Sequence, residues 1–388
     1  MISVVEAPAA VVFSRGDTLV KLFAGESPGV PWTPVTKPTN YTVELEFLFE
    51  YTYGSSTFTS VVTLEPVPNS DGEITVNIKE LIHSEFMSNA SFPEPPLPAI
   101  GSTSAFVTDN IRNYQLRTRE LTGTDFAPGS WLDIGSNLKT IFGGITIDRS
   151  TELWDPSALT QPQSMFTWMP NNMMVGLDQP HYITVMGGGG IEAKLYSITN
   201  TVLQTVTISD PGTGSGECAT YFIGPKIFTD GNVANGYKVT LEFQNGESKQ
   251  YYLDHYREGK MDLVFINGFG AAECVRMKGE VDETLQVQRE KSDVIRRRDT
   301  PFSVGDVKQY GGSWDDEFMF RTGYISEGEA RALKDMLAFN FLFRIRTDVY
   351  ESLDIISDEV PINSTGQFMK ALEFNAVRSV KKKIMPIL

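Results

Sequence analysis

Enzyme chemistry needs certain residue types at certain spacings, and in this chain of 388 residues those types are thinly spread. Three histidines are present, His83, His181 and His255. None lies four residues from another or within a Cys/His cluster, so the spacing that sets two imidazoles on one metal is missing. His255 follows Asp254, but neighbours on a strand point to opposite faces and make a poor acid–base couple. Gly187-Gly188-Gly189-Gly190 has the composition of a phosphate loop, which needs a following Lys-Ser/Thr and a helix start. Ile191-Glu192-Ala193-Lys194-Leu195-Tyr196 follows instead and reads as a strand, so the glycines are expected to form a wide hairpin turn. Asp315-Asp316-Glu317, and Glu152 with Asp155, have the residue types of a glycosidase. That reaction needs two carboxyls roughly 5–10 Å apart across a sugar cleft, which adjacency does not supply. Both groups are expected to be solvated loops. The residues therefore predict no catalytic group, no metal ligand and no cofactor. The expectation is a protein that is not an enzyme and works through its surfaces.

The elements that would carry such surfaces are mostly strands. Residues 41–53 alternate, with apolar or aromatic side chains at odd positions and Thr or Glu between them, apart from Leu48. Alternation on a strand separates two faces, here one packed and one wet and acidic. The same grammar predicts short strands over 4–13 and 18–23, and Ile74, Val76 and Ile78 continue it after an Asp71-Gly72 turn. Asn77 precedes Glu80 by three residues, as a capped helix start would. Tyr114, Leu116 and Thr118 share one face of a strand, Gln115, Arg117 and Arg119 the other. Asn245-Gly246 between two strand-like runs is a hairpin signal, because both residues tolerate positive φ. Ser326 with Glu329 makes a capping box, and Ala330, Leu333, Met336 and Leu337 fall on one helical face, predicting a helix over 326–339. The residues Phe339-Asn340-Phe341-Leu342-Phe343 that follow read as a strand buried on both faces.

The fold class expected is mainly β, several β-sandwich-like domains with one capped helix near the C-terminus. A Pro-rich passage and changes of pattern suggest four units: a β-sandwich-like domain over 1–94, a strand-rich segment with a long packed connection over 95–180, a β domain over 181–264, and a C-terminal β domain over 265–388. The charge sum of 33 basic and 49 acidic residues is −16, a field that repels phosphate backbones and disfavours nucleic acid as a partner. Cys218 and Cys274 are too few for a disulfide framework and are expected as buried thiols. Residues 1–14 carry no positive side chain and Glu6 interrupts their apolar run, so no secretory signal is expected. No uncharged apolar run nears the roughly 18 residues of a membrane span.

Some motifs are more particular. Leu263-Val264-Phe265-Ile266-Asn267-Gly268-Phe269-Gly270 leads into Glu273 and a strand over 274–278. Gly311-Gly312-Ser313-Trp314, a strand over 318–324 and the capped helix then follow in order. Earlier, a strand-to-helix passage covers 74–82 and Tyr114-Gln115-Leu116-Arg117-Thr118-Arg119-Glu120-Leu121 forms another strand. This order resembles structural proteins encoded by phages and prophages of Bacteroidetes hosts and attributed to the tail. The resemblance implies a virion component, made in the host cytoplasm and built into a tail, tail tip or baseplate-like assembly. It carries no catalytic residues. The partners it implies are copies of the chain, in a ring-like homo-oligomer, and other virion proteins.

The candidate interface residues are Phe339, Phe341 and Phe343, with the basic runs Arg296, Arg297, Arg298 and Lys381, Lys382, Lys383, which could meet an acidic neighbour. A second expectation is a non-catalytic receptor- or glycan-binding module. Its candidate sugar platforms are Trp131, Trp154, Trp168 and Trp314, all in expected loop or loop-adjacent segments.

Overall fold

The computed structural model describes residues 2–9, 11–24, 41–51, 57–69, 71–88, 97–108, 111–122, 125–135, 138–141, 164–167, 169–186, 189–212, 218–244, 246–255, 261–293, 307–338, 342–346, 349–357, 359–360, 369–379 and 382–384. Of the described residues 57% are strand and 11% helical, which makes the protein mainly β, with several separate sheets as its alternating sequence predicts. A three-stranded sheet joins Ile2–Glu6, Leu19–Ala24 and Glu73–Asn77. A seven-stranded sheet runs Val11–Phe13, Leu138–Ile141, Ile111–Thr122, Thr42–Phe49, Thr59–Leu64, with two short strands added to Ile111–Thr122. It takes strands from both sides of the Pro-rich passage. A four-stranded sheet (Ser164–Met165, Tyr182–Met186, Cys218–Phe222, Phe106–Thr108) and a five-stranded one follow. An eight-stranded sheet, from Ala272–Met277 to the edge strand Asp282–Asp293, ends the chain.

The local signals explain several elements. The helix Lys79–Ser88 starts where Asn77 Oδ1 accepts the N–H of Lys79 at 3.1 Å, and the same oxygen accepts the N–H of Thr18 at 3.2 Å. Ile78, Ile82 and Phe86 then face inward, and the Phe86 ring meets Phe49 edge-on. The hairpin Lys238–Phe243 to Ser248–Asp254 forms as expected, with Gly246 at φ 87°. The Ser326/Glu329 capping box closes in both directions: Ser326 N–H donates to Glu329 at 2.8 Å and Glu329 N–H to Ser326 Oγ at 3.2 Å. Cys218 and Cys274 are buried free thiols.

Four expectations need correction. The helix over 326–339 is two segments, Glu327–Ala332 and Lys334–Ala338, and the longest described helix is Lys79–Ser88. The second segment turns Asp335 inward, where its carboxylate accepts the N–H of Gly268 at 3.0 Å. The glycine run does not close a hairpin. The strand before it, Tyr182–Met186, belongs to the four-stranded sheet and the strand after it, Ile191–Tyr196, to the five-stranded one. The chain crosses between layers there, held by Gly189 N–H donating to Asp210 and Gly189 carbonyl accepting from Tyr221.

Asp315, Asp316 and Glu317, expected in a solvated loop, and Trp314, expected in or beside one, lie inside the strand Val307–Ser326. Its ladder to Asp282–Asp293 runs without a turn through Trp314, Asp315, Asp316 and Glu317, so pairing overrides the local glycines and acids. The acidic face of Thr42–Phe49 is not wet. Glu44 and Glu46 stand directly opposite Arg119 and Arg117 on Ile111–Thr122, and both pairs form ion pairs.

Candidate functional site

Three places in the molecule gather polar or exposed side chains with some chemical potential. The first is the covered face just described. Each Glu meets the guanidinium opposite it, since directly opposed residues sit on the same side of a sheet. Arg117 and Arg119 lie 4.7 and 4.3 Å from the ring centroid of Trp131, which roofs the two ion pairs. Glu46 is only 6% exposed, and the hydrogen bond from Arg117 holds its carboxyl below the usual range. Asn113 donates to the buried Glu50 at 2.5 Å in the same row. A ring stacked on two cations has one face committed inside the protein, and the whole group is a structural lock.

The second place is a buried titratable group in which His181 is joined by Lys249 and Glu273, two residues no catalytic motif marks. Lys249 on Ser248–Asp254, Glu273 on Ala272–Met277 and His181 just ahead of Tyr182–Met186 come from three different sheets. Burial pushes the Glu273 carboxyl up to about 7, against the pull of the Thr167 hydrogen bond and the Lys249 charge. Burial lowers the Lys249 ammonium to about 8, and its Nζ donates to the Met169 carbonyl at 2.8 Å. Burial and the neighbouring Lys249 push the His181 imidazole down to about 3, so it is neutral.

Groups that titrate near neutrality have the right pKa for acid–base work, but they also need a place for a reactant. A cavity lined by Met169, Met173, Gln179 and Leu333 measures about 20 Å³, room for a water and not for a substrate. These buried groups tie sheets together. One signal for them was present: Glu273 is the only charge in the run 263–275.

The third place is open. The antiparallel ribbon of Asp282–Asp293 and Val307–Ser326 leaves its outer strand exposed on both faces, with Leu285 58% and Val287 40% accessible. Lys382–Ile384 pairs with the other edge of the long strand, placing Lys383 opposite Ser313 and Lys382 opposite Trp314, while Val287 lies opposite Trp314 on the first side. Two candidate interface lysines and one candidate glycan tryptophan thus share this ribbon by register. Arg296, Arg297 and Arg298 fall in the segment joining its two strands, outside the described residues, as do Phe339, Phe341, Lys381, Trp154 and Trp168. Phe343 is buried in Leu342–Arg346, an inner strand of the eight-stranded sheet.

Among the described residues no three His, Cys, Asp or Glu side chains are placed to hold a metal, and no helix is long and apolar enough to cross a membrane. Gly25-Glu26-Ser27-Pro28-Gly29 has the spacing of a hydrolase nucleophile elbow and also lies outside the described residues. In such an elbow the residue after the serine lends its N–H to the oxyanion hole, and Pro28 has none.

No protein-family model and no curated protein sequence matches the chain. Solved structures with partial likeness include native alpha-2-macroglobulin from Escherichia coli spanning domains NIE-MG1, at 7% identity and TM-score 0.17, covering 64% of this chain and 94% of that one. Trypsin-activated alpha-2-macroglobulin from Escherichia coli is similar at 8% identity and TM-score 0.22, covering 82% of this chain and 19% of that one. Squid arrestin is similar at 9% identity and TM-score 0.17, covering 66% and 94%. Superpositions of this quality assign neither a fold family nor a function.

Proposed function

We propose that this protein is a structural subunit of a bacteriophage virion, in a tail, tail tip or baseplate-like assembly, made in the host cytoplasm and joined through its β sheets to copies of itself and to neighbouring virion proteins. The observation that carries this reading is the ribbon. A strand exposed on both faces and at a sheet edge is a template for another chain. The Bacteroidetes phage resemblance over both ends of the chain supports the same reading, and a closed cyclic assembly is the usual way such contacts are satisfied. The reading assigns no reaction and no cofactor. Mass spectrometry of particles purified from a producing host tests it: a stoichiometric band is expected, and particles free of this chain overturn it.

A second reading, recognition of a host glycan, has one observation in its favour. An open groove of about 560 Å³ is lined by Asn171, Asn172, Met174, Lys278 and Tyr324, with Tyr324 71% exposed. An aromatic face beside amides suits a sugar ring. Glycan-array binding that Tyr324→Ala abolishes supports this reading, and an array without signal removes it.

A further inference from the structure

We propose that two copies of this chain pair through the outer edge of Asp282–Asp293, antiparallel and in a single register centred on Val287, so that two ribbons fuse into one continuous sheet. This deepens the assembly reading above, and rests on it only in taking the protein to act through its surfaces.

Among the described residues the strand Asp282–Asp293 pairs on one side only, with Val307–Ser326. It is the longest edge strand among the described residues, at twelve residues, and its side chains from Asp282 to Val287 are all exposed. Other edges are shorter or covered: Ala272–Met277, at the far side of the same sheet, is buried along its whole length. An edge of this length carries a row of N–H and C=O groups spaced to accept a strand.

Geometry restricts how a second copy can fill it. Opposed residues of an antiparallel pair point to the same face, and side chains alternate along each strand. Two identical antiparallel strands are therefore related by a two-fold axis perpendicular to the sheet, midway between them and at the level of one residue, which then faces its own copy. Four centres pair nine or more of the twelve residues, and charge chooses among them; a centre at Arg289 sets that residue against its own copy. A centre at Gln286 sets Asp282 against Glu290. A centre at Gln288 sets Glu283 against Asp293. A centre at Val287 opposes no like charges: Glu283 meets Lys291, Leu285 meets Arg289, Gln286 meets Gln288, and Val287 meets its own copy.

The two exposed apolar side chains then lie on one face in one row, with the stem of Arg289 over Leu285, and the Glu–Lys pair occurs twice by symmetry. Like charges directly opposite are destabilising, so this register stands apart from its neighbours, which both carry them. The contact is isologous, the commonest closed arrangement of identical subunits.

The test is made on the full-length protein in solution. With Val287→Cys, oxidation is expected to join two chains covalently, because directly opposed strand residues lie within disulfide range. The native Cys218 and Cys274 are buried and do not compete. A Glu283→Cys protein alone should not cross-link, whereas mixing it with a Lys291→Cys protein should. Lys291→Glu should weaken the dimer about tenfold in sedimentation equilibrium at low salt, by turning two attractive pairs into two repulsive ones, and adding Glu283→Lys should restore it.

A monomer at all concentrations overturns the proposal. So does a dimer that ignores the charge changes or cross-links equally from all three positions. Circular dichroism of each variant separates loss of pairing from loss of fold. None of these outcomes depends on whether the chain is carried in a particle, which the mass spectrometry decides separately.

Discussion

The strand Thr42–Phe49 and, over 284–288, the strand Asp282–Asp293 share one grammar, charged or polar residues alternating with apolar ones, yet one is closed and the other open. On Thr42–Phe49 every acid of the polar row finds a cation or an amide on the strand opposite, and Trp131 roofs the arrangement. On Asp282–Asp293 the strand opposite supplies Asp315, Asp316 and Glu317 across from Gln286, Leu285 and Thr284. Gln286 donates to Glu317, and Arg321 farther along that strand pairs with Asp282 at 2.8 Å, yet Leu285 and Val287 stay exposed. Alternation therefore divides a strand into faces without deciding which face meets water. The decision belongs to what lies across the ladder and above it.

The largest expected effect concerns a buried acid that, unlike Glu46, has no guanidinium opposite. The folded carboxyl of Glu273 holds its proton up to about 7, while an unfolded one releases it near 4.5. Between those values the folded state binds the extra proton, so stability falls as pH rises through that window. Glu273→Gln removes the fall. The variant should match the native protein near pH 4 and gain on the order of 3 kcal/mol by pH 8, read as a rising difference in urea midpoints. Equal midpoints at both pH values would mean that Glu273 is solvated.

Arg117→Ala should leave Glu46 buried without its cation and lower stability by about 2 kcal/mol at pH 7. Here the sign with pH reverses. The folded Glu46 carboxyl lies below its unfolded value of 4.5, so the pair stabilises above that value and is lost as pH falls through the lower folded one. The gap between variant and native protein should therefore narrow in acid, followed by urea unfolding at pH 7 and pH 3.

Removing the roof is a smaller change. Trp131→Ala should lower stability by about 1 kcal/mol, the scale of partly exposed cation–π contacts, and should raise amide exchange along residues 115–119. The smallest effect belongs to the open strand. Val287→Ser, measured in a Lys291→Glu background that keeps copies apart, should shift the unfolding midpoint by less than about 0.5 kcal/mol, because that side chain is exposed in the monomer. A shift as large as that of Arg117→Ala would show that the ribbon is covered within one chain and would dissolve the contrast.

Much of the fold was legible as local pattern. The hairpin at Gly246 and the capping box at Ser326 followed from residues a few positions apart. Asn77 was read as a cap and proved also to tie down Thr18, a partner 59 residues away. The helix predicted as one piece broke at Leu333, where Asp335 meets Gly268 across 67 residues. Legibility of the candidate site was lower. Lys382 and Lys383 were singled out for their charge and Trp314 for its ring, but only register brought them to one ribbon. Leu285 and Val287 were not singled out at all, because two apolar residues in an alternating strand look the same whether a layer covers them or not.

By itself the sequence determined that the chain is built of strands, which residues share a face, and where the Ser326 helix begins and the chain turns at Gly246. These depend on spacings of two to four residues, which the backbone imposes wherever the chain lies. The tertiary structure alone decided that Glu44 and Glu46 are covered, that Glu273 and Lys249 meet in the interior, and that Asp282–Asp293 stands at an open edge. Each of those outcomes depends on a partner tens of residues distant, and a face becomes inside or outside only when that partner arrives.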